Sequence, residues 1–240
     1  MVPKLFLASN SPRRRQLLSL AGWPFTVRAV EIDERPFTGE QPAAYVMRLA
    51  ESKARAAGEL ADPGDLILAA DTTVADGELI LGKPANVAEA RAMLQSLRGK
   101  AHLVYTAIFV FDRRSGRGLP DLCATRVWMR DYSDEEIDAY IASGDPFDKA
   151  GAYAIQNARF HPVERIEGCY NCVVGLPLCQ AVQALSQFGL TPPDPITSNC
   201  PFALQTDTPC QAYTTLLDQE AGFSGAPDGN TPDRSQNQGN

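Results

Sequence analysis

Two spacings of apolar residues alternate along the chain. Short apolar runs read as strands, and runs with apolar positions three and four apart read as helices. Residues 5–8 form a first strand, 12–21 a helix, 25–30 a strand, and 42–58 a longer helix with Tyr45, Val46, Leu49 and Ala50 on one side. A continuous apolar run from Leu66 predicts a buried strand that ends at Asp71. The segment 74–81 follows as a hairpin turning at Asp76-Gly77. Helix returns at 87–97, and strands at 102–113 and 123–130 are joined by a loop containing Arg114 to Gly118. Asp134-Glu135-Glu136 opens another helix with charges that suit its N-terminus. A strand at 163–167 and a helix at 177–188 complete the pattern. The mixture of βα units and hairpins predicts an α/β fold, a mixed central sheet flanked by helices. After Gly189, prolines mix with Asn, Gln, Thr, Asp and Gly without periodicity. Residues 1–189 are therefore expected to form the domain. Residues 190–240 are expected to be a disordered tail, apart from a short helix around 213–217.

Three stretches carry candidate chemistry. In Leu5-Phe-Leu-Ala-Ser-Asn-Ser-Pro-Arg-Arg14, a strand runs through a hydroxyl-rich turn into a helix that opens with arginines. Ser11 is a natural N-cap and Pro12 suits the first helical position. Orphan N–H groups, Ser9, Ser11 and the guanidinium of Arg13 or Arg14 would then converge on a phosphate. A capped surface helix with solvated arginines explains the stretch equally well. The acid at the end of the 66–74 run, Asp71, with the hydroxyls Thr72 and Thr73, suits metal or base chemistry, or a simple turn cap. The segment from Phe147 to Gln156 packs Asp148, Lys149, a small flexible turn at Gly151 and the amide of Gln156 into ten residues, and Asp148 with Lys149 also reads as an exposed pair of little energetic worth.

Composition narrows the field. With 240 residues the chain fits one large domain or two small lobes. A net charge of −7 argues against broad nucleic-acid binding, although Arg13-Arg14-Arg15 is a local basic cluster sufficient for one triphosphate. No stretch approaches a membrane span and no secretory signal is visible, so the default expectation is cytoplasmic. Cys169-x-x-Cys172 has redox or zinc-knuckle spacing, and Cys200 and Cys210 could complete a four-sulfur site. Thiols in a reducing compartment are the simpler reading.

These stretches together resemble the Maf family of nucleoside triphosphate pyrophosphatases. The resemblance extends through Glu31-Ile-Asp-Glu34, Glu51-Ser-Lys-Ala54, Ala70-Asp-Thr72, Gly82-Lys-Pro84, Asp148-Lys-Ala-Gly-Ala-Tyr153 and Val174-Gly-Leu-Pro-Leu178. It implies an elongated, two-lobed, ITPase-like fold with the site in a cleft, and hydrolysis between the α and β phosphates. It also implies Asp71 as the catalytic acid–base residue, with Glu34, Lys53 and Lys83 in the pocket. Ser9, Ser11, Arg13, Arg14, Thr72, Lys149 and Gln156 complete the expected substrate-binding set. A divalent ion, Mg²⁺ or Mn²⁺, would sit at Glu34 and Asp71. Arg13, Thr72 and Gln156 match the relatives that act on dTTP and UTP. Ala154 and Asn157-Ala-Arg-Phe160 depart from glycine-richer surroundings there, which widens the expectation to modified pyrimidines. Family members are often dimers, so a homodimer is also expected. Rival readings are a nucleotidyltransferase or phosphatase on the same arginine loop, and a nucleotide-binding regulator of cell division without essential catalysis. No GxxxxGK[ST] loop supports the first.

Overall fold

The computed structural model describes residues 3–193. Seven strands and six α-helices follow in the order β1 (Leu5–Leu7), α1 (Pro12–Ser19), β2 (Phe25–Val27), α2 (Pro42–Gly58), β3 (Leu66–Asp76), β4 (Leu79–Leu81), α3 (Val87–Leu97), β5 (Ala101–Asp112), β6 (Gly118–Met129), α4 (Asp134–Ala142), β7 (Val163–Glu167), α5 (Tyr170–Val174) and α6 (Leu178–Ser186). Two 3₁₀ turns, Asp145–Asp148 and Ala150–Ala152, lie between α4 and β7. The sheet is mixed, in the order β2-β1-β3-β5-β6-β7, with β4 added to β3. β1 runs parallel to its neighbours, and the long β3–β5 and β5–β6 pairs are antiparallel.

Three apolar clusters hold helices to this sheet. Leu5, Leu7, Leu68, Ala70 and Val110 pack under α1 and α6, while Phe6, Ile67, Ala69 and Ala107 pack under α2 on the other face. The third cluster gathers Val74, Val104, Val127 and Met129 with α3 and α4. Strands β3 and β5 contribute to all three, so their length makes one body of the set. Among the described residues, no helix is long and apolar enough to cross a membrane.

Most elements fall where the residue pattern put them, and the differences have physical reasons. β3 does not end at Asp71 but continues five residues further, because Thr72, Thr73 and Val74 suit a pleated strand and pair on along β5. β6 begins at Gly118, ahead of the predicted residue 123. Pro120 and Asp121 interrupt its apolar run but lie where β6 pairs only with β5, so proline's missing N–H breaks no ladder on the outer edge. The five-residue helix α5 was not predicted. The packed body also runs past Gly189: Leu190 is buried, and Trp23 Nε1 donates to the Thr191 carbonyl at 2.8 Å. The remainder of the expected tail from residue 194, its short helix, Cys200 and Cys210 lie outside the described residues. Cys123, Cys169, Cys172 and Cys179 are thiols rather than disulfides.

Candidate active site

The site is a notch in the edge of the sheet. One edge of β3 is lined throughout by β5, from Leu66 to Ala75. On its other edge, β1 covers only Leu66–Leu68 and β4 only Val74–Asp76. Residues 69–73 are left between them, and strand alternation directs the backbone groups of Ala70 and Thr72 towards the gap. A cleft of about 510 Å³ opens there, lined by Ser9 to Arg14, Glu34, Lys53, Asp71 to Val74, Lys83, Asp148, Lys149 and Gln156 among others.

Successive side chains of a strand point to opposite faces, so Asp71 and Thr72 serve different walls of this cleft. Asp71 faces α2. There Lys53 Nζ lies 2.6 Å from Asp71 Oδ1 and 2.7 Å from Glu34 Oε1, one ammonium shared by two carboxylates. The two acids differ in setting: the Asp71 side chain is 9% exposed and that of Glu34 51%. Burial pushes Asp71 above the ordinary carboxylate range, despite the opposing pull of Lys53 and Arg14. Burial also acts upward on Glu34, but the Lys53 hydrogen bond and the charges of Lys53, Lys83 and Arg14 outweigh it and hold that acid below its usual value. A pair of carboxylates driven apart in this way can hold unlike protonation roles. Tyr45 closes the wall, giving its hydroxyl to the Glu34 carbonyl at 2.8 Å. Its pKa is pushed up to about 12 by burial and by both acids, so it stays a neutral donor.

Thr72 faces the opposite wall, built from the N-terminus of α1. Ser11 caps that helix by accepting from Arg14 N (3.4 Å), and Pro12 occupies its first turn. Arg14 folds back across the helix end: Nε donates to the Gly175 carbonyl (2.8 Å), Nη1 to Ser9 Oγ (3.4 Å) and Nη2 to Thr72 Oγ1 (3.1 Å). Three of its five N–H groups are thereby fixed. One remains on each terminal nitrogen, the number a bidentate phosphate contact uses. Burial lowers the Arg14 pKa from its ordinary value, an effect opposed by the Asp71 charge. Ser9 Oγ accepts from both Ser11 N and Arg14 Nη1, which leaves its O–H to give to an anion.

The third wall is the turn after α4. Gly151 N donates to the Gly82 carbonyl at 3.0 Å, which fastens the Lys83 loop to the 149–152 turn. Gly151 has φ +66°, and a Cβ there would come within 2.9 Å of Val74, so both conformation and space require glycine. Lys149 is buried rather than an exposed partner of Asp148. Its ammonium donates to the Asp145 carbonyl (2.7 Å), Asp145 Oδ1 (2.9 Å) and Asp148 Oδ1, which uses all three protons. Lys149 thus lines the cleft as a brace for Asp148, whose other oxygen meets Arg13 Nη1 at 3.3 Å. Gln156 stands exposed at the rim.

Every expected site residue reaches this cleft. Arg15, from the same basic cluster, points away and is exposed. Sequence reasoning missed Tyr45 on the cleft wall, and Asp145 and Thr106, which contact the lining residues Lys149 and Thr72 from behind it. Thr106 is fully buried and directly opposite Thr72 in the β3–β5 register, with Oγ1 atoms 2.8 Å apart. A hydroxyl inside a strand gives no pattern signal. Among the described residues, no group of three or more His, Cys, Asp or Glu is placed to hold a metal ion.

A family model described as Maf-like protein matches residues 4–188. The chain belongs to the Maf family. The dTTP/UTP pyrophosphatase of Citrifermentans bemidjiense is 51% identical to this Maf chain over 186 residues, which are 77% of this chain and 95% of that protein. The dTTP/UTP pyrophosphatase of Anaeromyxobacter dehalogenans (strain 2CP-1) is 46% identical over 195 residues, 80% of this chain and 98% of its own. A solved nucleoside-triphosphatase / dITP/XTP pyrophosphatase from Mycobacterium abscessus overlaps 53% of this Maf chain and 75% of its own. That overlap has 17% identity and a TM-score of 0.34, too remote to bear on function.

Proposed function

We propose that this chain hydrolyses dTTP and UTP to the nucleoside monophosphate and pyrophosphate. The observation that supports the reading is the division of labour at the notch: of two adjacent β3 residues, Asp71, its pKa raised by burial, faces one wall and Thr72, which accepts from Arg14, faces the other. The names of relatives that match along nearly their whole length support the substrate class.

In this reading Arg14, the α1 N-terminus and the Ser9 hydroxyl hold phosphate oxygens, with Arg13 of the same helix end and Lys83 of the facing loop adding charge. Asp71, held by Lys53, takes a proton from water as its oxygen bonds to the α phosphorus. The bond from that phosphorus to the bridging oxygen breaks, and pyrophosphate leaves. Gln156 at the rim offers an amide, whose donor and acceptor suit the O4 and N3 edge of uracil or thymine. Glu34 and Asp71 are hard oxygen donors. With substrate phosphate oxygens they make the kind of set that Mg²⁺ or Mn²⁺ takes, and the ion would neutralise phosphate charge there.

The test incubates the full chain and its Asp71→Asn variant with dTTP, UTP, CTP, GTP, ATP and 7-methyl-GTP plus Mg²⁺ or Mn²⁺, and separates the products by chromatography. Pyrophosphate from dTTP and UTP, cut about 10²- to 10⁴-fold in the variant, is the expected result. Inorganic phosphate as the product, or full activity in Asp71→Asn, would refute the reading. Binding without turnover would favour a nucleotide-binding regulator.

A further inference from the structure

We infer that Thr106, a buried residue behind the cleft wall, is a positioning residue for nucleotide binding, acting through Thr72 on Arg14. The inference rests on the pyrophosphatase reading above and adds a residue to it.

The Thr106 hydroxyl lies 2.7 Å from the Cys172 carbonyl and 2.8 Å from Thr72 Oγ1. A carbonyl oxygen only accepts, so the single hydroxyl proton of Thr106 goes to Cys172. Between the two threonines Thr106 must then accept, and Thr72 must donate. That uses the one proton of Thr72, whose oxygen in turn accepts from Arg14 Nη2. The direction of the whole chain is thereby fixed: Arg14 gives to Thr72, Thr72 to Thr106, and Thr106 to the carbonyl of α5.

Two consequences follow. The oxygen of Thr72 meets the cleft only as an acceptor, so it holds Arg14 but cannot itself donate to a phosphate oxygen. Arg14 is also anchored to the end of α5 twice, directly through the carbonyl of Gly175 just past the helix and indirectly through Cys172 within it. The second anchor depends on Thr106. Without that acceptor the Thr72 hydroxyl is released to rotate, and it competes as a donor where Arg14 now sits. Gly175 adjoins this junction: its φ of +121° favours glycine, and a Cβ would be in contact 3.4 Å from Thr72 Oγ1 and 3.5 Å from Arg14 Nε.

Steady-state kinetics with UTP, together with inhibition by inorganic pyrophosphate, test the assignment on the wild type, Thr106→Val and Thr106→Ser. Thr106→Val should raise both KM for UTP and Ki for pyrophosphate about tenfold, or about 1.4 kcal/mol, with kcat changed much less. Thr106→Ser keeps donor and acceptor and should restore both constants. In a Thr72→Val background the same Thr106→Val change should add little, because the intermediary is gone. If Thr106→Val does not fold, Thr106→Ala is read the same way. A merely structural role would lower kcat through loss of active protein, at unchanged KM and Ki. That result, or full additivity with Thr72→Val, overturns the assignment while leaving the pyrophosphatase reading intact. Absence of turnover in the wild type overturns both.

Discussion

Asp71 is the residue at which stability and chemistry pull in opposite directions. Burial raises its pKa, so ionising this carboxyl costs more in the folded protein than in the unfolded chain. The sign follows directly. Below the ordinary carboxylate value of about 4 the group is neutral in both states and costs nothing, and the cost develops as pH rises through the higher folded value. Asp71→Asn should therefore raise Tm at pH 7 and lose that advantage near pH 3, which thermal melts at the two pH values would check. Lys53 opposes the shift, so Lys53→Met should drive the Asp71 pKa higher still. The acid limb of kcat/KM against pH is then expected to move to higher pH, together with a loss of activity. An acid limb that stays in place would remove Asp71 from the role of base.

At the scale of elements, the helices with caps and the strands with clean apolar runs were legible in the residues. Ser11-Pro12 marked the start of α1 and Asp76-Gly77 the β3–β4 turn, because each fixes backbone geometry locally. What was not legible depends on partners distant in the chain. α5 is too short to be stable alone, and it is held where Thr125 Oγ1 both accepts from Cys169 N and donates to its carbonyl, each at 3.0 Å. The site divides in the same way. Asp71, Arg14 and Lys53 showed themselves by type and setting, whereas Thr106 and the bracing use of Lys149 exist only in three dimensions. The turn after α5 gives a direct test. Gly175→Ala places a side chain at φ +121° beside Thr72 and Arg14 and should cost about 1 kcal/mol or more in chemical denaturation, with a higher KM for UTP.

For the whole molecule, the end of the packed body can be located by cutting. A chain ending at Pro193 keeps Leu190 in the core and the Thr191 carbonyl under Trp23. It is expected to match the full chain in Tm and kcat/KM. Ending the chain at Gly189 removes both contacts and should cost about 2 to 3 kcal/mol, measured by denaturant titration. The notch has a consequence at this scale as well. An unpaired strand edge ordinarily invites another chain to add a strand and begin aggregation. Here the open stretch is five residues long, 69–73, with β1 closing one end and β4 the other. An incoming strand would meet those two before it could settle into register, so the protein keeps backbone donors available to a small ligand while denying them to a second polypeptide.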